Sequence, residues 1–470
     1  MQYVSTRGSA PHLGFEDALL AGLARDGGLY VPERWPVFKA EEIAAFAGRP
    51  FHEVASVVVN ALAGGAIPKP ALDRMTADAY ATFGHEAVTP LVQIGSNRFV
   101  LELFHGPTLA FKDVAMQLLA RLMDHVLEKR DARATIVGAT SGDTGGAAIE
   151  AFRASKRTDV FILFPDGRVS DVQRRMMTTP TEPHIHAIAI DGTFDDAQAR
   201  VKDMFNHHAF RDRVQLSGVN SINWARIAAQ VTYYFVAAVA LGAPHRKVSF
   251  SVPTGNFGDI FAGYVARCMG LPVERLVIAT NSNDILARTV ASGRYETRGV
   301  VATSSPSMDI QVSSNFERYL FEASGRDAGL IGRLMDGLKQ SGAFELPGAM
   351  REALKRDFAA GGASEAEVAS AIRTTLAASG YLLDPHTACA VVALDKQGQR
   401  GAAPEVVLAT AHPAKFPDTM AAITGQRPGL PPRLASLMTD AERIERLPND
   451  TKRLEGHIER HARAVTEARR

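Results

Sequence analysis

Two segments of the chain share one plan: an apolar, strand-forming run, a glycine-rich loop, then a helical pattern. They are TIVGATSGDTGGAAIEAF (135–152) and KVSFSVPTGNFGDIFAGYVARCMG (247–270). Strands that alternate with helices in this way form βαβ units, which build parallel sheets covered by helices. The alternation continues through DVFILF with a helix near Val172, HIHAIAI with a helix near Ala197, and the strands RLVIAT (275–280) and EVVLATA (405–411). After the first glycine loop the helix is expected from Ala147. The fold class is α/β, in two alternating blocks.

At 470 residues the chain exceeds a single ordinary core. Residues 1–85 read as a small mixed domain, and 86–430 as the main region, with subdomains of roughly 100–225 and 226–425. Within the second, 284–373 is a charged, mostly helical insertion. Residues 431–470 alternate in charge and are expected to form a solvated helical tail. With 52 basic against 51 acidic residues, no overall field recruits nucleic acid or an anionic membrane. Cys268 and Cys389 form no disulfide framework or thiolate metal site. The most apolar run, Tyr233–Ala243, is about half the length of a membrane span and reads as a buried helix. MQYVSTRGSAPHLGFEDALL lacks a secretory leader pattern, so the expected location is cytoplasmic.

Glycine loops followed by helices turn unpaired N–H groups toward an anion. In the first, Ser141, Gly142, Asp143, Thr144, Gly145 and Gly146 precede the helix; in the second, Thr254, Gly255, Asn256, Phe257, Gly258 and Asp259 do so. Neither is a Walker A loop or a G-x-G-x-x-G fingerprint. Asp166 nevertheless follows the next strand at about the dinucleotide-fold distance and keeps a nucleotide reading open. Either loop alone is equally well a strand-to-helix turn. Two of them point to two anionic groups, or to one ligand held between domains.

FHGPTLAFKDVA (104–115) then sets Lys112 at the start of a helix, where about half a positive charge disfavours an ammonium. That field and burial both lower the amine pKa, which readies it as a nucleophile for an aldehyde. A lysine, an anion cradle and an α/β frame together point to pyridoxal phosphate. Standing alone, Lys112 beside Asp113 would read as solvated. Lys415, in a proline-flanked loop, ranks second, and Thr410 sits at the C-terminal end of a strand, where such sheets place ligand contacts. In NSINWARIAAQ, Asn220, Ser221, Asn223 and Arg226 lie ahead of an apolar helix, a set that caps a helix well and also suits a phosphate or carboxylate; capping alone explains Asn220 or Ser221 but not Arg226. His184 and His186 share a strand face but show no third metal ligand nearby, and His207 and His208 point apart; no metal is expected.

HGPTLAFKD, GATSGDTG, NSINWARI, PTGNFGD and TAHPAKFPD, in this order, resemble the threonine synthase family, with YVSTRG and GLARDGGLYVP resembling the N-terminal domain of its longer members. The likeness runs from residue 1 to about 425. It implies a fold type II pyridoxal phosphate enzyme of the tryptophan-synthase β-like fold, with the cofactor between two α/β domains. By this resemblance Lys112 forms the Schiff base, Gly255, Asn256, Phe257, Gly258 and Asp259 hold the cofactor phosphate, and Thr410 bonds the pyridine nitrogen. Asn220, Ser221 and Arg226 match the substrate-binding segment; Ser141, Asp143 and Thr144 lie in the loop that receives the substrate carboxylate. Many relatives in the wider fold carry asparagine at the place of Asp143, and a carboxylate there would repel that of the substrate. TSSPSMDI (303–310) also resembles a family segment, with no contact assignable from spacing. The implied reaction converts O-phospho-L-homoserine and water to L-threonine and phosphate in a monomer or homodimer. The rivals are a serine or threonine dehydratase of the same fold, an NAD(P) oxidoreductase using SGDTGG and Asp166, and a non-catalytic phosphate binder.

Overall fold

The structure, a computed structural model, describes residues 1–398 and 402–467. Two sheets carry it. The first has five parallel strands in the order Glu445–Leu447, Ile185–Ile190, Thr158–Pro165, Ala134–Ala139 and Leu216–Ser217. The second runs Phe358–Gly362, Val273–Thr280, Val248–Pro253, Glu405–Ala409, Arg98–Glu102 and Leu91–Gly95, with only the last pair antiparallel. Every residue of Thr158–Pro165 and of Val248–Pro253 is buried, as expected for parallel strands covered on both faces.

Helix Trp224–Ala240 joins the parts. It packs on Gly258–Cys268 from the second sheet, on Lys112–Lys129, and on Phe51–Ala63 of the N-terminal region. The apolar run that begins at Tyr233 lies largely in this buried helix, and among the described residues no helix is long and apolar enough to cross a membrane. In the N-terminal region, Tyr3–Ser5 pairs with Tyr30–Pro32. This region is fastened to the rest by the Arg7–Glu317 ion pair and by the buried Arg318, whose guanidinium donates to the carbonyls of Tyr30 (3.0 Å) and Ile222 (2.6 Å).

Three elements depart from the sequence reading. The helix after the first glycine loop starts at Asp143, not Ala147, because the Thr140 hydroxyl accepts from the N–H groups of Gly142 and Gly145, each at 2.9 Å. That cap turns Asp143 into the first helical residue. The 284–373 insertion contributes more than helices: its strand Phe358–Gly362 closes the edge of the second sheet. The C-terminal tail is docked rather than solvated. Its strand Glu445–Leu447 extends the first sheet, and Leu454 and Ile458 of helix Thr451–His461 are fully buried.

One further connection places the chemistry. Past the end of the Glu405–Ala409 strand, Ala411 bridges Ala110 and the Thr410 carbonyl accepts from the Phe111 N–H at 2.9 Å. Thr410 and Lys112 are thereby held in adjacent segments.

Candidate active site

Lys112 opens helix Lys112–Lys129 and is 8% exposed. Its amine lies 3.2 Å from Asp143 Oδ2 and 3.4 Å from Ser307 Oγ. Burial lowers the amine pKa, the charges of Lys415 and Arg226 push the same way, and Asp143 opposes them. The neighbour Asp113 turns away: its carboxylate accepts from the Thr108 N–H and hydroxyl at 2.8 and 2.7 Å, and burial lifts its pKa to about 6. Lys112 is therefore not a surface lysine paired with Asp113.

Asp143 is the hub. Besides Lys112, its carboxylate meets the Lys415 amine at 2.5 Å and accepts from Gln173 Nε2 at 2.9 Å and Ser307 Oγ at 3.2 Å. Burial alone would raise its pKa, but the two lysines hold it well below the usual carboxylate range. Lys415 is completely buried, and its amine also donates to the Thr108 carbonyl at 2.9 Å. The first- and second-ranked lysines of the sequence thus flank a single carboxylate. Ser141 and Thr144 are partly exposed in the same loop and make no side-chain hydrogen bond among the described residues. Gly142, at φ +139°, is a position for glycine alone, since a Cβ there would come within 2.5 Å of Gln173.

The second loop has a different character. No N–H from Gly255 to Asp259 is engaged by another described protein group. Phe257 takes a left-handed φ of 63° and buries its ring against Phe316 and Phe358, which turns the backbone at the helix start. A Cβ on Gly255 would lie 2.6 Å from the Ser307 carbonyl oxygen, so the 305–308 segment closes over this loop. Asn256 is exposed, and its side-chain oxygen lies 3.4 Å from Ser314 Oγ. The Asp259 carboxyl does not face an anion. It accepts hydrogen bonds from Tyr233 and, at 3.1 Å, Tyr234, and burial pushes its pKa up to about 7. The Asp259 backbone N–H, by contrast, is not engaged by another described group. Thr410 is buried, and its hydroxyl has no hydrogen-bond partner among the described residues.

In NSINWARI the helix cap is Asn223, which accepts from the Ala225 N–H and donates to the carbonyls of Leu19 and Gly218; it is neither Asn220 nor Ser221. Asn220 is exposed, and the Ser221 carbonyl accepts from Asn315. Arg226 is 3% exposed and pairs with no carboxylate among the described residues. Its one hydrogen bond goes to the Val219 carbonyl at 3.4 Å, its Nε is buried without a partner, and burial brings its pKa down to about 10. An uncompensated buried guanidinium is costly unless an anion joins it.

Sequence reasoning missed Gln173, Thr108, Ser307 and the dyad behind Ser307. There the Ser307 N–H donates to His386 Nε2 at 3.3 Å, and His386 Nδ1 bonds Asp384 at 2.9 Å. Apart from the local His386–Asp384 pair, the contacts that tie Gln173, Thr108 and Ser307 into this cluster span from 30 to 307 residues of sequence, and spacing carries no signal for them. Asp166, which kept the nucleotide reading open, lies 3.2 Å from Arg446 of the C-terminal segment. An 830 Å³ hollow bordered by Arg98, Glu367 and Asp395 includes none of the residues above.

A buried, pKa-depressed lysine, a backbone cradle with free N–H groups and an unpartnered threonine hydroxyl suit a phosphorylated aldehyde. Residues 82–411 match the pyridoxal-phosphate dependent enzyme family, so the protein is a pyridoxal phosphate enzyme. Residues 2–80 and 387–458 match the N-terminal and C-terminal regions of threonine synthase. The threonine synthase of Pseudomonas aeruginosa is 51% identical over 98% of both chains. The crystal structure of PLP-bound threonine synthase from Brucella melitensis superposes with a TM-score of 0.96 at 60% identity, covering 98% of this chain and 100% of that one. The yeast threonine synthase structure follows at 0.92 and 38%, with 98% of each chain covered. The chain belongs to the threonine synthase family and is a lyase acting on a small molecule.

Proposed function

We propose that the substrate is O-phospho-L-homoserine and that Arg226 receives its phosphate. The observation that carries this is Arg226 itself: buried, without a carboxylate, with Nε unserved, and near enough to Lys112 to depress its amine. A dehydratase of the same fold has no leaving phosphate for such a group to hold.

Lys112 would carry the cofactor, the free N–H groups of Gly255 to Asp259 its phosphate, and the Thr410 hydroxyl its pyridine nitrogen. When bound, pyridoxal phosphate supplies the electron sink that lets a proton leave the substrate Cα. The Lys112 amine takes protons from Cα and then Cβ and delivers one to Cγ once phosphate has left and one back to Cα at the end, a task suited to its lowered pKa. Ser307 Oγ, bonded to both Lys112 and Asp143, holds the amine in line. Arg226, Asn220 and Ser221 grip the γ-phosphate as it departs, and water adds at Cβ to give threonine.

Asp143 no longer conflicts with substrate binding. Lys415 stays beside it when Lys112 is engaged with cofactor, so the loop carrying Ser141 and Thr144 presents a neutralised carboxylate to the incoming one. Purified enzyme given phosphohomoserine is expected to release phosphate and L-threonine in equal amounts. In Arg226→Ala the KM should rise ~10- to 100-fold, the worth of charge-assisted hydrogen bonds, with cofactor affinity almost unchanged. A keto acid and ammonia in place of threonine, or equal loss of cofactor and substrate affinity, would overturn the assignment.

A further inference from the structure

The C-terminal segment carries a second constellation that shares no residue with the Lys112 cluster. His186, Glu445 and His457 each place one ligand atom within 4.8 Å of the other two. Three separately anchored elements bring them together. His186 is on the strand Ile185–Ile190, Glu445 begins the strand that pairs with it, and His457 lies on helix Thr451–His461, pinned by the buried Leu454 and Ile458. Both histidines are buried, at 6% and 8% exposure, and the His186 ring stacks on Phe161 with centroids 4.4 Å apart.

The polar accounting is incomplete without a further partner. His186 Nδ1 lies 2.7 Å from Glu445 Oε1 in hydrogen-bond geometry. His457 Nε2 lies 2.5 Å from Glu445 Oε2 but without the alignment of a hydrogen bond. His186 Nε2 is buried with no hydrogen-bond partner among the described residues, and His457 Nε2 meets only that carboxylate oxygen; orphaned buried polar atoms are rare. Beside them stands His461, four residues on from His457 on the same helix. Its ring centroid is 4.3 Å from that of His457 and 5.2 Å from that of His186, and its Nδ1 bonds the His457 carbonyl at 2.9 Å, so its Nε2 is not committed.

We propose that His186, Glu445 and His457 bind a divalent transition ion of the Zn2+ class, with His461 or water in the fourth position. Two imidazoles and a carboxylate are a ligand set that zinc accepts, and imidazoles disfavour Mg2+ and Ca2+. The ion staples the C-terminal segment onto the edge of the first sheet, adding to a three-residue strand and the buried Leu454 and Ile458.

The test uses the full-length holoenzyme, stripped of metal with a chelator and titrated with Zn2+ alone by calorimetry. One saturable equivalent is expected, together with a rise in Tm. Glu445→Gln and His457→Asn should each bind at least ~10-fold more weakly, since even supporting residues of metal sites are worth that much. His245→Asn, at an exposed histidine elsewhere, should bind like the wild type. If the variants fail to fold, zinc-edge anomalous scattering from Zn2+-soaked wild-type crystals decides, with a peak expected among the three side chains. No saturable binding, unchanged affinity in the folded variants, or a peak only at other residues would overturn the proposal.

Discussion

The loops 140–146 and 254–259 are built alike, from threonine, glycines and an aspartate in the first turn of the following helix. Their aspartates have opposite fates. Asp143 faces two buried lysines and is held ionised, whereas Asp259 faces two tyrosines, and burial raises its pKa to about 7. The first loop thus presents a fixed anion that organises cations. The second withdraws its carboxyl and leaves bare N–H groups. A glycine loop supplies backbone geometry only; the charge of the site is set by side chains that arrive from distant segments.

The largest break in this comparison is Lys112→Ala. It removes the amine proposed to react while leaving Asp143 paired with Lys415, so the fold should persist and threonine formation should fall by at least ~10²- to 10⁴-fold. Steady-state rates beside a circular dichroism melt check this.

Asp143→Asn leaves Lys112 and Lys415 buried without their counter-ion. Stripping one partner from a buried ionic cluster costs about 3–5 kcal/mol, and urea unfolding at pH 7 should show it. The loss should be smaller in the holoenzyme, where cofactor engages one of the two amines. An equal loss in both forms would mean that neither amine is engaged by the cofactor.

Asp259→Asn tests the other loop through pH. The folded pKa of about 7 lies above the ordinary 3.8, so the native state keeps a proton that the unfolded chain releases. Wild-type stability should therefore decline relative to Asp259→Asn as pH rises from about 4 to 7. The gap corresponds to at most about 4 kcal/mol. Denaturant titrations of both proteins at pH 5 and 8 measure it; parallel curves would mean that Asp259 is ionised in the fold.

Thr140→Val is the mildest change. It takes the acceptor from two N–H groups of the first loop and should cost about 1–2 kcal/mol. The second loop, capped by a left-handed Phe257 instead of a hydroxyl, has no equivalent position.

Much of this was legible in the sequence because it is local. The strand–loop–helix plan, the lysine at a helix start and the unexplained Arg226 all follow from periodicity and dipole arguments over fewer than twenty residues. Other features depend on tertiary contact. The Asp143–Lys415 pair joins loops from different sheets, and neither residue hints at the other. The helix start at Asp143 turned on one threonine hydroxyl, and the cap of NSINWARI on which asparagine folded inward. In the C-terminal segment the signal was present and was outweighed: Leu454, Ile458, Ala462 and Val465 keep helical spacing beneath a mixed-charge surface, and His457 and His461 share one helix face. Their partner His186 lies 271 residues from His457, beyond the reach of spacing.

The central claim is that, of two buried lysines on one carboxylate, Lys112 is the reactive amine and Lys415 the fixed charge. Borohydride reduction of the holoenzyme followed by peptide mapping tests it directly. The cofactor label is expected on the peptide containing Lys112; a label on Lys415, or no covalent label, would contradict the account.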